Sequence, residues 1–283
     1  MALIRGWWWP ESTRDSSFVV ATGRIFNDDG RVSDPENTGG ATAGAANGQP
    51  TSAEAVQALY IFPHAGGSAS SYAPFARAFS VGIKRIAVQY PGRTDRHDVP
   101  DIESIQALAK DVHGMLSANR ITAAPVAFFG HSMGGQIAFE VARRFEEEGT
   151  PVAALFLSAS PAPGHGGYEQ LKGSDEALLK MVNEMTGAGS QFVDGRFGDT
   201  VLRTLRNYGA ITGYDCPPGT SVACPIYAYA AADDIAVSQQ SVAAWSEFTN
   251  SDFAIRTVQG DHFYVTHTVD ELVADIQDRL RTL

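Results

Sequence analysis

From Ala58 onward the chain alternates between short apolar runs and longer stretches whose apolar residues recur three and four positions apart. The runs are Ala58–Phe62, Lys84–Tyr90, Val126–Phe129, Ala153–Ser158, Pro225–Ala231 and Phe253–Val258, each with Pro or Gly close by. They are too short for helices and read as strands, with Ala58–Phe62 and Val126–Phe129 expected to be buried. The stretches between them carry helical stripes. Tyr72–Ser80 turns Phe75, Ala76 and Phe79 inward, and Ile102–Leu116 has apolar residues at 105, 108, 109, 112, 115 and 116. After Ser132 come Ile137, Ala138, Val141, Ala142 and Phe145, and further helices are predicted near Gln239–Phe248 and over Val269–Leu280. Alternation of this kind predicts an α/β domain, a mainly parallel sheet with helices on both faces. Ligands in such sheets sit at the C-terminal ends of the strands.

Two regions depart from the alternation. The connection 164–215 is too long to be a simple loop, and it contains helical patterns around Ala177–Met185 and Val201–Ile211. Its apolar positions (Leu178, Leu179, Met181, Val182, Leu202 and Leu205 among them) exceed what a solvated loop needs, and most are expected to close over the core. Residues 1–57 form an N-terminal extension. Phe18–Thr22 and Gly23–Phe26 predict a hairpin arm, with Asn27-Asp28-Asp29-Gly30 as turn chemistry. Ser33–Glu54 offers almost nothing to bury and reads as a linker. Trp7, Trp8 and Trp9 fit either a loose tail or an arm packed on the body or a partner.

Composition narrows the functional classes. The formal net charge of −11 argues against general nucleic-acid binding, which needs a basic face to meet phosphates. No apolar stretch is long enough to span a bilayer, and the N-terminus lacks a secretory signal, so a cytoplasmic protein is expected. Cys216 and Cys224 are then expected as free thiols.

The chemistry gathers around Gly130-His131-Ser132-Met133-Gly134-Gly135, between a predicted strand and a predicted helix. This is the strand–turn–helix setting of G-x-S-x-G, in which a strained turn holds a serine clear of the backbone and glycines relieve the crowding. A serine hydroxyl becomes a useful nucleophile only when a base takes its proton and a carboxylate orients that base. Of seven histidines only His165, His262 and His267 follow Ser132, and His262 lies directly past the last strand, where the base belongs. The strand Pro225–Ala231 ends at Asp233-Asp234, of which only one can face the imidazole. The oxyanion formed on attack needs backbone amides aimed at it. The amide of Met133 and that of Ala65, in His64-Ala65-Gly66-Gly67, are the candidates, while His64 and His131 are expected to orient loops.

Taken together, FPHAGGSASSY (62–72), VQYPGRTDR (88–96), GHSMGG (130–135), ADD-x-x-V (232–237) and GDHF (260–263) resemble the stand-alone type II thioesterases of polyketide and nonribosomal-peptide assembly lines. The resemblance covers residue 58 to the end. It implies an α/β-hydrolase core, residues 58–283, with a helical lid at about 164–215. It also implies hydrolysis, through an acyl-enzyme, of acyl groups carried on the phosphopantetheine thiol of acyl or peptidyl carrier domains, by a monomer with no cofactor of its own. The family's acid aligns with Asp234, although Ala231 stands where a glycine is usual, and Ser158-Ala159-Ser160-Pro161 replaces a basic segment. Within the lid, Met185, Phe192 and Tyr208 are candidates to line an acyl channel. An acidic carrier would need a local basic patch, for which Arg93, Arg96, Arg143, Arg144, Arg203 and Arg206 are candidates. Two other readings are a carboxylesterase or lipase of the same fold, separable by matched oxygen esters, and a non-catalytic relative that only docks to a megasynthase.

Overall fold

All six apolar runs become strands, and a seventh strand joins them. The computed structural model describes residues 18–21, 55–80, 82–90, 104–119, 124–168, 172–186, 202 and 213–283. Its strands are β1 (Phe18–Ala21), β2 (Ala58–Phe62), β3 (Lys84–Val88), β4 (Val126–His131), β5 (Ala154–Ser158), β6 (Ile226–Ala231) and β7 (Phe253–Val258). They form one sheet in the order β1-β3-β2-β4-β5-β6-β7, and every neighbouring pair is parallel. The helices are α1 (Ala73–Ala78), α2 (Ile105–Ala118), α3 (Met133–Glu147), α4 (Asp175–Thr186), α5 (Gln239–Ala243) and α6 (Val269–Leu280).

The period of two along each strand divides the core into two layers. On β4, Val126 and Phe128 pack with Leu108, Val112 and Leu116 of α2 and Ile137 and Phe145 of α3. Ala127 and Phe129 belong to the opposite layer, with Phe75 of α1 and Leu272 and Ile276 of α6. Burying each large apolar side chain contributes about 2 kcal/mol, and the central strands β2, β4 and β5 are buried at every position. Local signals fix the helix starts. Ser104 caps α2 by accepting from the Ala107 amide at 3.0 Å, and Pro74 lies in the first turn of α1.

Phe18–Ala21, expected as one arm of a hairpin whose other arm lies outside the described residues, is a strand. It adds to the outer edge of β3 in parallel, Phe18 opposite Arg85 and Ala21 opposite Val88. A short apolar run specifies a strand but not its partner, and the unpaired N–H and C=O groups along β3 are a ready template. Gly23–Phe26, the linker and Trp7–Trp9 lie outside the described residues. The expected helix at Ala177–Met185 is α4, whereas Val201–Ile211 lies outside the described residues apart from Leu202. The predicted helix Gln239–Phe248 divides into α5 and a 3-10 turn, Ala244–Phe248, whose buried Trp245 donates to the Ser160 carbonyl at 2.8 Å.

Where the chain returns from the 164–215 connection, it is tied to α3. Buried Glu140 accepts from the Tyr214 hydroxyl at 2.8 Å and from Arg143 at 3.0 Å. Cys216 and Cys224 are both free thiols, and burial pushes Cys224 up to about 12. Two of the candidate docking arginines are engaged within the fold. Arg143 pairs with Glu140 and Glu147, and Arg144 reaches the Gln106 carbonyl. The other four lie outside the described residues.

Candidate active site

Ser132 joins β4 to α3 with φ 57° and ψ −125°, a backbone setting that residues with side chains rarely adopt. A serine at a helix N-cap ordinarily accepts from an amide of the first turn. Here the side chain makes no such bond, and the Gly135 amide is met by the Ser132 carbonyl at 2.9 Å. The hydroxyl is therefore left for other partners. The glycines make this turn possible by close approach. A Cβ on Gly130 would lie 2.3 Å from the Gly134 carbonyl oxygen, and one on Gly134 would lie 2.0 Å from that of Phe62. Helix α3 thus starts against the end of β2 and the loop that follows it. Because the obstacle is backbone, Gly134→Ala is expected to destabilise the fold by about 3 kcal/mol. The melting temperature should fall by about 5–10 °C.

Three residues far apart in sequence meet at this turn. His262 Nε2 lies 2.9 Å from Ser132 Oγ, and His262 Nδ1 lies 2.7 Å from Asp234 Oδ2. The second carboxylate oxygen, Oδ1, accepts from the amides of Ala236 at 2.8 Å and Val237 at 3.0 Å. A carboxylate can only accept, so Nδ1 carries the ring proton and Nε2 is free to take one from the serine. Ser132 is 4% exposed, and the His262 and Asp234 side chains 3% and 2%. The arrangement sets an acceptor on a hydroxyl in a site almost closed to water, as removal of a serine proton requires. Asp234, not Asp233, faces the imidazole. Asp233 is exposed, and its amide bonds to the Gly260 carbonyl. Asp261 instead closes the turn before a short 3-10 helix, Tyr264–Thr266, by accepting from the Phe263 amide at 2.8 Å. His267 is exposed, and His165 lies 3.7 Å from Glu247.

Behind His262 lies a buried layer. His131 Nδ1 is 2.8 Å from Ser158 Oγ, which is 2.5 Å from the Tyr264 hydroxyl. The His131 ring is 5.4 Å from that of His262. Burial, then the charges of His262 and His64, hold His131 well below the usual imidazole range. The unfolded chain takes up a proton here as pH falls through about 6.5, while the native ring does not. The stability this gives is complete above that pH and is lost on acidification, until the native ring also protonates. His131→Asn should flatten the dependence of unfolding free energy on pH between 6.5 and 5 by up to about 1.4 kcal/mol per unit. Urea melts at several pH values measure this slope.

The loop after β2 adjoins the serine turn, with His64 anchored at 2.7 Å to the Tyr72 hydroxyl and its ring 6.0 Å from that of His131. Among the described residues, neither the Ala65 nor the Met133 amide donates a hydrogen bond. Phe192 and Tyr208 lie outside the described residues, and Met185 falls in the last turn of α4. One residue was not singled out in the sequence. The Tyr168 hydroxyl is 2.9 Å from Ser132 Oγ. The only sequence signal was a lone aromatic closing the run Gly164-His165-Gly166-Gly167. Among the described residues no group of three or more His, Cys, Asp or Glu is placed to hold a metal, and no helix is long and apolar enough to cross a membrane.

Known proteins share this architecture. Thioesterase TesA of Mycobacterium marinum is 49% identical over 221 residues, covering 77% of this chain and 89% of the relative. Thioesterase TesA of Mycobacterium leprae is 46% identical over 247 residues, covering 87% and 95%. Among solved structures, the type II thioesterase BorB from the borrelidin biosynthetic cluster is 38% identical with a TM-score of 0.69, covering 80% of this chain and 93% of its own. These likenesses bear out the resemblance carried by the glycine-loop, elbow and GDHF motifs. The family model for the thioesterase domain matches residues 57–280, from just before β2 to the last residue of α6. With that match extending over most of the sequence, the chain belongs to the thioesterase family.

Proposed function

We propose that this thioesterase removes acyl groups from the phosphopantetheine thiol of acyl or peptidyl carrier domains in polyketide or nonribosomal-peptide assembly. The observation that carries the reading is the hydrogen-bonded line from Ser132 through His262 to Asp234, at 2.9 and 2.7 Å in a nearly dry pocket. In this reading Ser132 Oγ attacks the thioester carbonyl as its proton passes to His262 Nε2, and Asp234 holds the imidazolium. The Ala65 and Met133 amides receive the negative charge on the carbonyl oxygen. The carbon–sulfur bond breaks and the thiol leaves. A thiolate departs more readily than an alkoxide, so proton return from His262 matters less in this step than in ester cleavage. Water, deprotonated by His262, then opens the acyl-serine ester. The carrier and pathway assignments rest on relatives described as type II thioesterases of biosynthetic clusters. The connection 164–215 serves as the lid, supported by Leu178 of α4 being fully buried and Leu202 packing on the core.

Intact-mass measurement of an acyl-loaded carrier protein before and after incubation tests this. Loss of the acyl mass with the phosphopantetheine arm retained is expected. Turnover confined to matched oxygen esters of small molecules would replace the reading with a carboxylesterase.

A further inference from the structure

The Ser132 hydroxyl has two partners, and the steps above employ only His262. We propose that the Tyr168 hydroxyl occupies the ground beside Ser132 that an acyl carbonyl must take, so that binding exchanges the phenol for the thioester at the nucleophile. This rests on Ser132 being the nucleophile.

Attack brings a carbonyl carbon to about 3–3.5 Å from the attacking oxygen. Around an Oγ on a residue only 4% exposed, His262 Nε2 and the Tyr168 hydroxyl each sit at 2.9 Å, so one must yield. His262 is fixed from behind by Asp234, itself held by two amides. Tyr168 is differently mounted. It ends a run in which Gly164, Gly166 and Gly167 have φ of 74°, 72° and 108°; a Cβ would meet Asp215 at 2.8 Å on Gly164 and Pro161 at 3.0 Å on Gly167, but nothing within 4 Å on Gly166. Tyr168 itself has φ 61°, and its amide reaches the Ala236 carbonyl only at 3.4 Å. Of the two partners, the left-handed tyrosine at the end of a glycine run has the backbone freedom to yield, while the imidazole is held by Asp234.

The protons agree with this assignment. Nε2 takes the serine proton, so Oγ has none to give in its 2.9 Å contact with the phenol, and the Ala159 carbonyl is 3.5 Å from that phenol. The phenol therefore donates to Oγ, and that bond must break before the acyl carbon comes close. Tyr168→Phe keeps the ring, which stands edge-on to His262 at 6.1 Å, and removes the bond.

The test is labelling by a small fluorophosphonate, in which Oγ bonds to phosphorus, fluoride leaves and the serine proton goes to His262. Peptide mapping locates the label. Tyr168→Phe is expected to label about fivefold faster than wild type, the worth of one neutral hydrogen bond. KM for a short acyl-pantetheine should fall similarly, with kcat no lower. Tyr168→Leu, lacking both ring and hydroxyl, should also label faster, and thermal melting shows whether each variant is folded. Equal labelling rates and equal KM would make the hydroxyl a bystander and overturn the proposal. A tenfold fall in kcat for Tyr168→Phe would make it a required donor and overturn it as well. Wild type labelled at Ser132 with no change in the variants sinks the exchange alone. Wild type unlabelled at Ser132 sinks the proposed function with it.

Discussion

Ser132→Ala is expected to lower kcat for acyl-thioester hydrolysis by at least about 10⁴-fold while leaving a folded protein. The size follows from what remains. Without Oγ, His262 can only activate water against the thioester, and no acyl-enzyme forms. On the proposed mechanism the Ala65 and Met133 amides persist, so a small residual rate is expected. Folding should be little affected, because Ser132 Oγ bonds only to His262 and Tyr168 among the described residues. Each such bond contributes about 1 kcal/mol net. Thiol release from an acyl-pantetheine, beside a near-ultraviolet circular dichroism spectrum, measures both parts. A variant with a tenth of wild-type turnover would remove Ser132 from the chemistry.

Asp234→Asn and Asp233→Asn should differ by orders of magnitude. Asp234 Oδ1 accepts from two amides and Oδ2 from the imidazole. An asparagine there keeps its oxygen toward the two amides, because an NH₂ group facing them would set donor against donor. The NH₂ then points at His262 Nδ1, which becomes an acceptor. The ring proton shifts to Nε2 and faces Ser132, where it blocks proton uptake. A loss of about 10⁴-fold in kcat with little change in KM is expected. Asp233 is exposed and should tolerate the change within about twofold. Steady-state kinetics on one thioester decides it, and the reverse ordering would move the orienting acid to Asp233.

The parts of the site that could be read in advance were those tied to periodicity. Val126–Phe129 ahead of the elbow and the stripe Ile137–Phe145 behind it placed Ser132 at a strand end without any contact being known. His262 followed from its position past the last strand. Periodicity could not separate Asp233 from Asp234, since adjacent residues swap faces with a one-residue slip at the strand end, and only the family resemblance pointed to Asp234. The amides of Ala236 and Val237 fix the answer, and they belong to a turn rather than a period. Tyr168 escaped for a similar reason. Its contact with Ser132 depends on the path of an irregular glycine-rich segment and on a left-handed tyrosine, and neither leaves a repeat in the sequence. The pairing of Phe18–Ala21 with β3 was not legible either, because that partner lies more than sixty residues downstream.

That edge pairing bears on where the chain can be shortened. A protein starting at residue 55 would retain Ser132, Asp234 and His262 yet strip the outer side of β3, leaving a row of bare backbone donors and acceptors. Such a row recruits any extended segment it meets, a second molecule included. With Phe18–Ala21 in place that row is met from within the chain, so shortening is expected to alter self-association rather than turnover.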